Sequence, residues 1–207
     1  DQYQLARQNK WVLYLEGSTD LDVLRAFARV LEHPVSRYLE RPFMRYVANK
    51  PNDARRHFYA LLDGTPDLRG VALFDRITTP LTSAKGLTEI MWKRNEIENY
   101  IPIPEVIERF ISSQQGDDLF TQNWLTVIQK IITENMPPAA KNDKNHIWWV
   151  NTKISADFLE PVFSKFSYEL NIPSILRKGD YFRLVEIAQK NELDNEIKEK
   201  LDVIYGV

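Results

Sequence analysis

The sequence predicts an α/β fold: a parallel sheet flanked by helices, followed by a mostly helical C-terminal subdomain. Three observations predict it. Apolar runs at 12–15, 43–47 and 71–74 are short, bounded by turn residues and separated by helix-like segments, which is the pattern of right-handed βαβ units. The first and third runs each stop on an acid, Glu16 and Asp75. Beyond residue 103 strand signals nearly vanish while helical periodicity persists. The expected division is therefore an α/β domain at 1–103 and a helical subdomain at 104–207.

Taken in order, WVLYLEGSTDLDVL opens with a buried strand at 12–15 and leaves Glu16 at its C-terminal tip. Gly17 permits a tight turn, Ser18 or Thr19 can cap the next helix, and Asp20 falls in its first turn. Leu21, Leu24, Phe27, Ala28 and Leu31 share one face of that helix, which should end before Pro34. A strand at 43–47 leads through a turn at 49–53 into a helix at 53–62, with Ala54, Phe58, Leu61 and Leu62 turned inward. Gly64, Thr65, Pro66 and Asp67 break it. The strand at 71–74 then ends on Asp75, and a loop of threonines, Pro80 and Gly86 follows.

Residues 87–103, LTEIMWKRNEIENYIPI, are expected to extend the sheet. Glu96, Glu98 and Tyr100 would then share one face of an extended chain. Pro104 is well placed to open a helix running to about residue 113. Helical periodicity recurs at 119–135, 155–170, 180–190 and 192–204.

The 207 residues include no cysteine, which excludes disulfides, thiolate zinc sites and cysteine nucleophiles and suits a reducing cytoplasm. No run approaches the ~18 apolar residues of a membrane span, so no membrane partner is expected. The chain opens on Asp1 rather than Met, as expected for a piece of a longer protein. A net charge of -2 gives no global basic footprint, so any nucleic-acid surface must be local. No GxxxxGK[ST] phosphate loop occurs, so ATP hydrolysis would have to reside elsewhere.

A parallel sheet would bring Glu16, Asp20 and Asp75 to one edge, where open α/β sheets bind ligands. Each acid has an ordinary alternative: Asp20 complements a helix dipole, and Glu16 is a solvated turn residue. Two like charges ~4 Å apart repel by ~4 kcal/mol at an effective dielectric of 20, so clustered carboxylates persist only when protonated or cation-bound. Hard oxygen ligands favour magnesium, manganese or calcium. Phosphodiester cleavage at a two-metal site is the natural chemistry.

LYLEGSTDLDVL resembles the acidic glutamate motif of Toprim domains, and ALFDR resembles their strand ending in a metal-binding aspartate. WKRNEIENYIP, NTKISADFLEPVF and LRKGDYFRL resemble the Toprim domain and helical tail of the overcoming-lysogenization-defect (OLD) nucleases. The resemblance spans most of the chain. It implies a DNA endonuclease using two Mg2+ or Mn2+ ions, with Ca2+ also able to bind, joined to an N-terminal ABC-type ATPase region that this chain lacks. Glu16 and Asp20 would be metal ligands, Glu16 also a base, and Asp75 a ligand of the second ion or a bridge. Glu98 of IENY, rather than Glu96, would be the later acidic ligand. Lys153 would stabilise charge developing on the phosphate. Homodimerisation is implied too, though no heptad seam demands it.

One position departs from the family pattern. Toprim domains carry an Asp-x-Asp pair on the third strand, and the second position here is Ile77. Its absence would weaken one metal site or transfer its duty to Glu96 or Glu98. That motivates an alternative, a catalytically weak Toprim module serving an ATPase as a nucleic-acid-binding or regulatory part. Cleavage of RNA is a third reading.

Other residues favour ordinary roles. Asp22 should be mostly solvated, and His33, His57 and His146 should cap or lie at the surface. Trp148 and Trp149 should belong to the core rather than stack on a base. Arg55, Arg56, Arg69, Arg76, Lys93 and Arg94 are either phosphate contacts or solvated charges, and Lys178 is a helix-entry residue.

Overall fold

The computed structural model describes residues 2–114 and 119–207. They form two compact units: the chain up to Lys93 together with Asp194–Val207, and Arg94–Leu193. In chain order the first part runs α1 (Gln2–Asn9), β1 (Trp11–Leu15), α2 (Ser18–Val30), α3 (Ser36–Glu40), β2 (Met44–Tyr46), α4 (Pro51–Leu62), β3 (Arg69–Phe74) and β4 (Leu87–Met91). The second unit carries α5 (Glu105–Gln114), α6 (Leu119–Asn135), α7 (Pro138–Asn142), α8 (Ile147–Asn151), α9 (Glu160–Leu170) and α10 (Phe182–Glu186). The chain then closes with α11 (Asn195–Tyr205) in the first unit.

The sheet is four-stranded and parallel throughout, in the order β2-β1-β3-β4. Apart from the exposed Arg69 that opens β3, its central strands carry no charged residue, because both faces are covered. Val12, Tyr14, Ala72 and Phe74 join Ala6 of α1 and Ala54, Phe58 and Leu61 of α4 in one buried cluster. By strand alternation Leu13, Leu15, Val71 and Leu73 point the other way. There α2 packs on β1, with Leu21, Leu24, Phe27 and Ala28 buried. Full burial of one such side chain stabilises by about 1.5–3 kcal/mol. Gly70 is required by close approach, since a Cβ there would stand 2.9 Å from the Phe58 ring.

A buried ion pair ties α4 to the edge strand. Glu89 on β4 has a fully buried side chain and takes two bonds from Arg55, each 2.6 Å long, and a third from the Thr82 amide at 2.8 Å. Arg55 also donates to the Pro80 carbonyl, so the pair anchors the threonine loop. Arg55 is therefore committed to structure. On the far side of the unit, α11 meets the end of α2: His33 is buried and bonds Asp202 at 2.9 Å. His33 does cap, accepting from the Val35 amide, but it is not a surface residue.

In the second unit α6 packs on α5 and α9, with Phe110 edge-on to Phe163 and Trp124 edge-on to Phe166. The helical expectation at 155–170 is met with a wider first turn, a π-turn at Ile154–Leu159 leading into α9. At 180–190 only α10 is α-helical, flanked by 3-10 turns at Lys178–Asp180 and Lys190–Glu192.

The expected strand at 87–103 needs correction. Only β4 is extended, and Ile97–Tyr100 is a 3-10 turn, so Glu96 and Glu98 do not share a strand face. The cause is a local side-chain bond: Asn99 Oδ1 accepts from the Glu96 amide at 3.1 Å and offers the backbone an alternative to a sheet ladder.

Candidate functional site

Because all strands run parallel, their C-terminal ends emerge on one edge of the sheet. Glu16 follows β1 directly and Asp75 follows β3, and both are half-buried. Their carboxyl groups are hydrogen-bonded to each other, which requires one of them to carry a proton. Burial first, then the bond to Glu16 and the Glu16 charge, hold Asp75 well above the usual carboxylate range. Asp20 adds to this, while the Asn49 amide opposes it.

Asp20 lies in the first turn of α2, as expected, but neither Ser18 nor Thr19 caps the helix with its side chain. Asp20 does so, its Oδ2 accepting from the amides of Glu16 at 3.1 Å and Gly17 at 3.4 Å. Burial, and then the Glu16 charge, push its pKa up to about 6 against these amides and the Thr19 hydroxyl. Gly17 sits in ordinary extended backbone with open space where a Cβ would be, so the turn does not require glycine.

One residue beside the acids escaped the sequence reading. Asn49 Oδ1 accepts from the Asp75 amide at 3.0 Å, and its Nδ2 donates to Asp75 Oδ2 at 3.1 Å. The sequence marks residue 49 only as part of a turn. Asn tolerates left-handed backbone, and Asn49 has φ 57°. That is the only sequence signal for it.

Ile77 is partly buried and packs against the cluster that includes Phe58 and Phe74. Residue 77 is therefore an apolar anchor.

The remaining site candidates lie in the second unit. Glu96 is buried, and both of its oxygens are engaged by Ser155, one by the amide at 2.6 Å and the other by the hydroxyl at 3.1 Å. Glu98 is buried as well, and both glutamates raise the Tyr181 hydroxyl pKa after burial and Glu160. Tyr181 in turn donates to the Ser155 carbonyl. Lys153 is exposed at the entry to the π-turn, its amide donating to Asp157 at 3.3 Å. Thus Glu16, Asp20 and Asp75 come together in the first unit, and Glu96, Glu98 and Lys153 belong to the second.

The donor set at the sheet edge is all oxygen and half-buried. Such a set fits a hard divalent cation, whose binding would displace the shared proton. Among the described residues no three His, Asp or Glu side chains stand as a ready-made metal cage. Asp20, turned to backbone amides, is the ligand that would have to reorient.

The other basic and aromatic candidates divide. Arg76, beside Asp75, is exposed, as are Arg69 and Lys178, whereas Lys93 pairs with Glu199 at 3.6 Å and Arg56 with Asp53. Arg94 lies over the Tyr100 ring and donates to the Asn99 carbonyl. Asp22 pairs with Arg25 at 3.1 Å. His146 accepts from the Trp148 amide as a helix cap, and buried Trp149 donates to the Ala140 carbonyl.

No family model and no curated protein matches the sequence. Structural comparison finds a likeness to the C-terminal region of the Burkholderia pseudomallei OLD protein. The two are 13% identical, the match covers 96% of this chain and 98% of that one, and the TM-score is 0.46. Among the described residues no helix is long and apolar enough to cross a membrane.

Proposed function

We propose that this chain is a divalent-metal-dependent DNA endonuclease domain, the nuclease half of a cytoplasmic ATPase–nuclease protein. The observation that carries this reading is the meeting of the Glu16 and Asp75 carboxyl groups at the C-terminal edge of a parallel sheet, with Asp20 beside them. Two half-buried carboxylates held in contact are electrostatically costly, and their repulsion is relieved by a cation.

Glu16, Asp75 and Asp20 would hold Mg2+ or Mn2+, and the bound cation supplies positive charge that stabilises the phosphate during hydrolysis. Glu16 accepts the shared hydrogen bond and is the base for the attacking water. Asp75 holds the second carboxylate in place. The motif resemblance assigns Asp75 to a second ion or a bridge, Glu98 to the later acidic ligand and Lys153 to the phosphate, with Glu96 the weaker ligand because Ser155 occupies it. DNA is the substrate, an ABC-type ATPase region the covalent partner and a homodimer the assembly.

The test is nicking of supercoiled plasmid with magnesium, manganese, calcium or EDTA, run beside Glu16→Ala. Metal-dependent nicking lost in the variant supports the reading, and equal nicking by the variant sinks it.

Ile77 favours a second reading, a catalytically weak module that binds nucleic acid or regulates an ATPase. Robust nicking by the isolated domain in manganese would reject that alternative.

A further inference from the structure

The segment joining β2 to α4 passes over the ends of three strands. Its Val47 amide donates to the Leu15 carbonyl at 2.9 Å and its Ala48 amide to the Glu16 carbonyl at 3.2 Å, both on β1 or its tip. Asn49 then reaches past β1 to β3 and grips Asp75 twice, by backbone and by carboxylate. This crossing is made by two consecutive left-handed residues, Ala48 with φ 46° and Asn49 with φ 57°. A left-handed alanine is disfavoured, and such strain persists where surrounding bonds over-determine the backbone. Here those bonds go to the residues that carry the acids.

We propose that Asn49 is a positioning residue for Asp75, its amide holding Oδ2 and so fixing the carboxyl group beside Glu16 for a cation. The inference rests on the metal-site reading above. Asn49 is not itself a ligand in this role, because its Oδ1 is committed to the Asp75 amide. Metal-ligating carboxylates commonly depend on such outer partners, whose loss costs about 10–100-fold in metal affinity.

The experiment measures Mn2+ affinity of the whole chain by electron paramagnetic resonance, with the thermal midpoint recorded alongside. Asn49→Gly removes the amide while tolerating the left-handed backbone, and should weaken Mn2+ binding about tenfold or more with the fold retained. Ala48→Gly relieves strain without touching Asp75 and should leave the affinity unchanged. If Asn49→Gly fails to fold, Asn49→Ser makes the same comparison, because its shorter side chain cannot bond the Asp75 amide and carboxylate together as the Asn49 amide does. Wild-type affinity in a folded Asn49 variant would overturn the proposal, as would an equal loss in Ala48→Gly, which would reduce the effect to loop stability. Failure of the wild-type chain to bind Mn2+ at all would instead remove the metal-site reading, and this inference with it.

Discussion

Asp75 and Glu16 are hydrogen-bonded carboxyl to carboxyl, with Asn49 donating to Asp75 Oδ2 at 3.1 Å. A protonated aspartate in this place donates on one side and accepts on the other, and an asparagine can do the same. Asp75→Asn should therefore keep or raise the thermal midpoint of the metal-free chain while abolishing stabilisation by added Mn2+. Thermal melts with and without the ion check this. A variant still stabilised as strongly as wild type would remove Asp75 from the site.

Asp20 gives a pH dependence with a definite sign. Its folded pKa, about 6, lies above the roughly 3.9 of an unfolded chain, so its contribution is present below the unfolded value and lost as pH rises through the folded one. Asp20→Asn can still accept from the Glu16 and Gly17 amides. In the absence of metal the variant should gain on wild type as pH rises from about 4 to 6, by up to about 2 kcal/mol. Denaturant titrations across that window test it, and a gap that narrows with pH would contradict it.

His57 acts in the opposite sense. Burial, then Arg45, lower its pKa to about 4, and its neutral ring is held between the Tyr14 hydroxyl at 2.8 Å and Gln2 at 2.9 Å. The unfolded chain takes up this proton near pH 6.5, so stability falls as pH drops from there towards 4. His57→Gln should lose less than wild type over that range in the same titrations.

These groups also show what was legible in the sequence. The sheet and its acidic strand ends could be read because each rests on a local pattern, an apolar run followed by an acid. Asn49 could not, since its grip joins residues 26 positions apart and Ala48 gives no compositional sign of a left-handed backbone. The IENY segment misled because alternation alone does not reveal the Asn99 bond that curls it. The place of α11 in the first unit likewise depends on a pair 169 residues apart, His33 and Asp202.

The Arg55–Glu89 pair should be asymmetric to truncation. Removing Arg55 leaves a fully buried carboxylate with only the Thr82 amide, whereas removing Glu89 leaves an arginine whose side chain is 23% exposed and still bonded to Pro80. Arg55→Ala should cost about 3–5 kcal/mol and Glu89→Ala roughly 2 kcal/mol. Equal costs in chemical denaturation would mean that the buried charge is compensated elsewhere.

Ile77→Asp tests whether the missing carboxylate can be restored. Residue 77 packs against the cluster around Phe58 and Phe74, so an aspartate there would be drawn from apolar contact rather than added to the acid edge. The variant should lose about 1–3 kcal/mol of stability, from lost packing and partial burial of a charge. The number of Mn2+ ions bound should not change. A variant that binds one more ion than wild type, at little cost in stability, would show that the β3 terminus can turn its second position outward. The weak-module reading would then lose its structural ground, because the defect would lie in one residue and not in the course of the backbone.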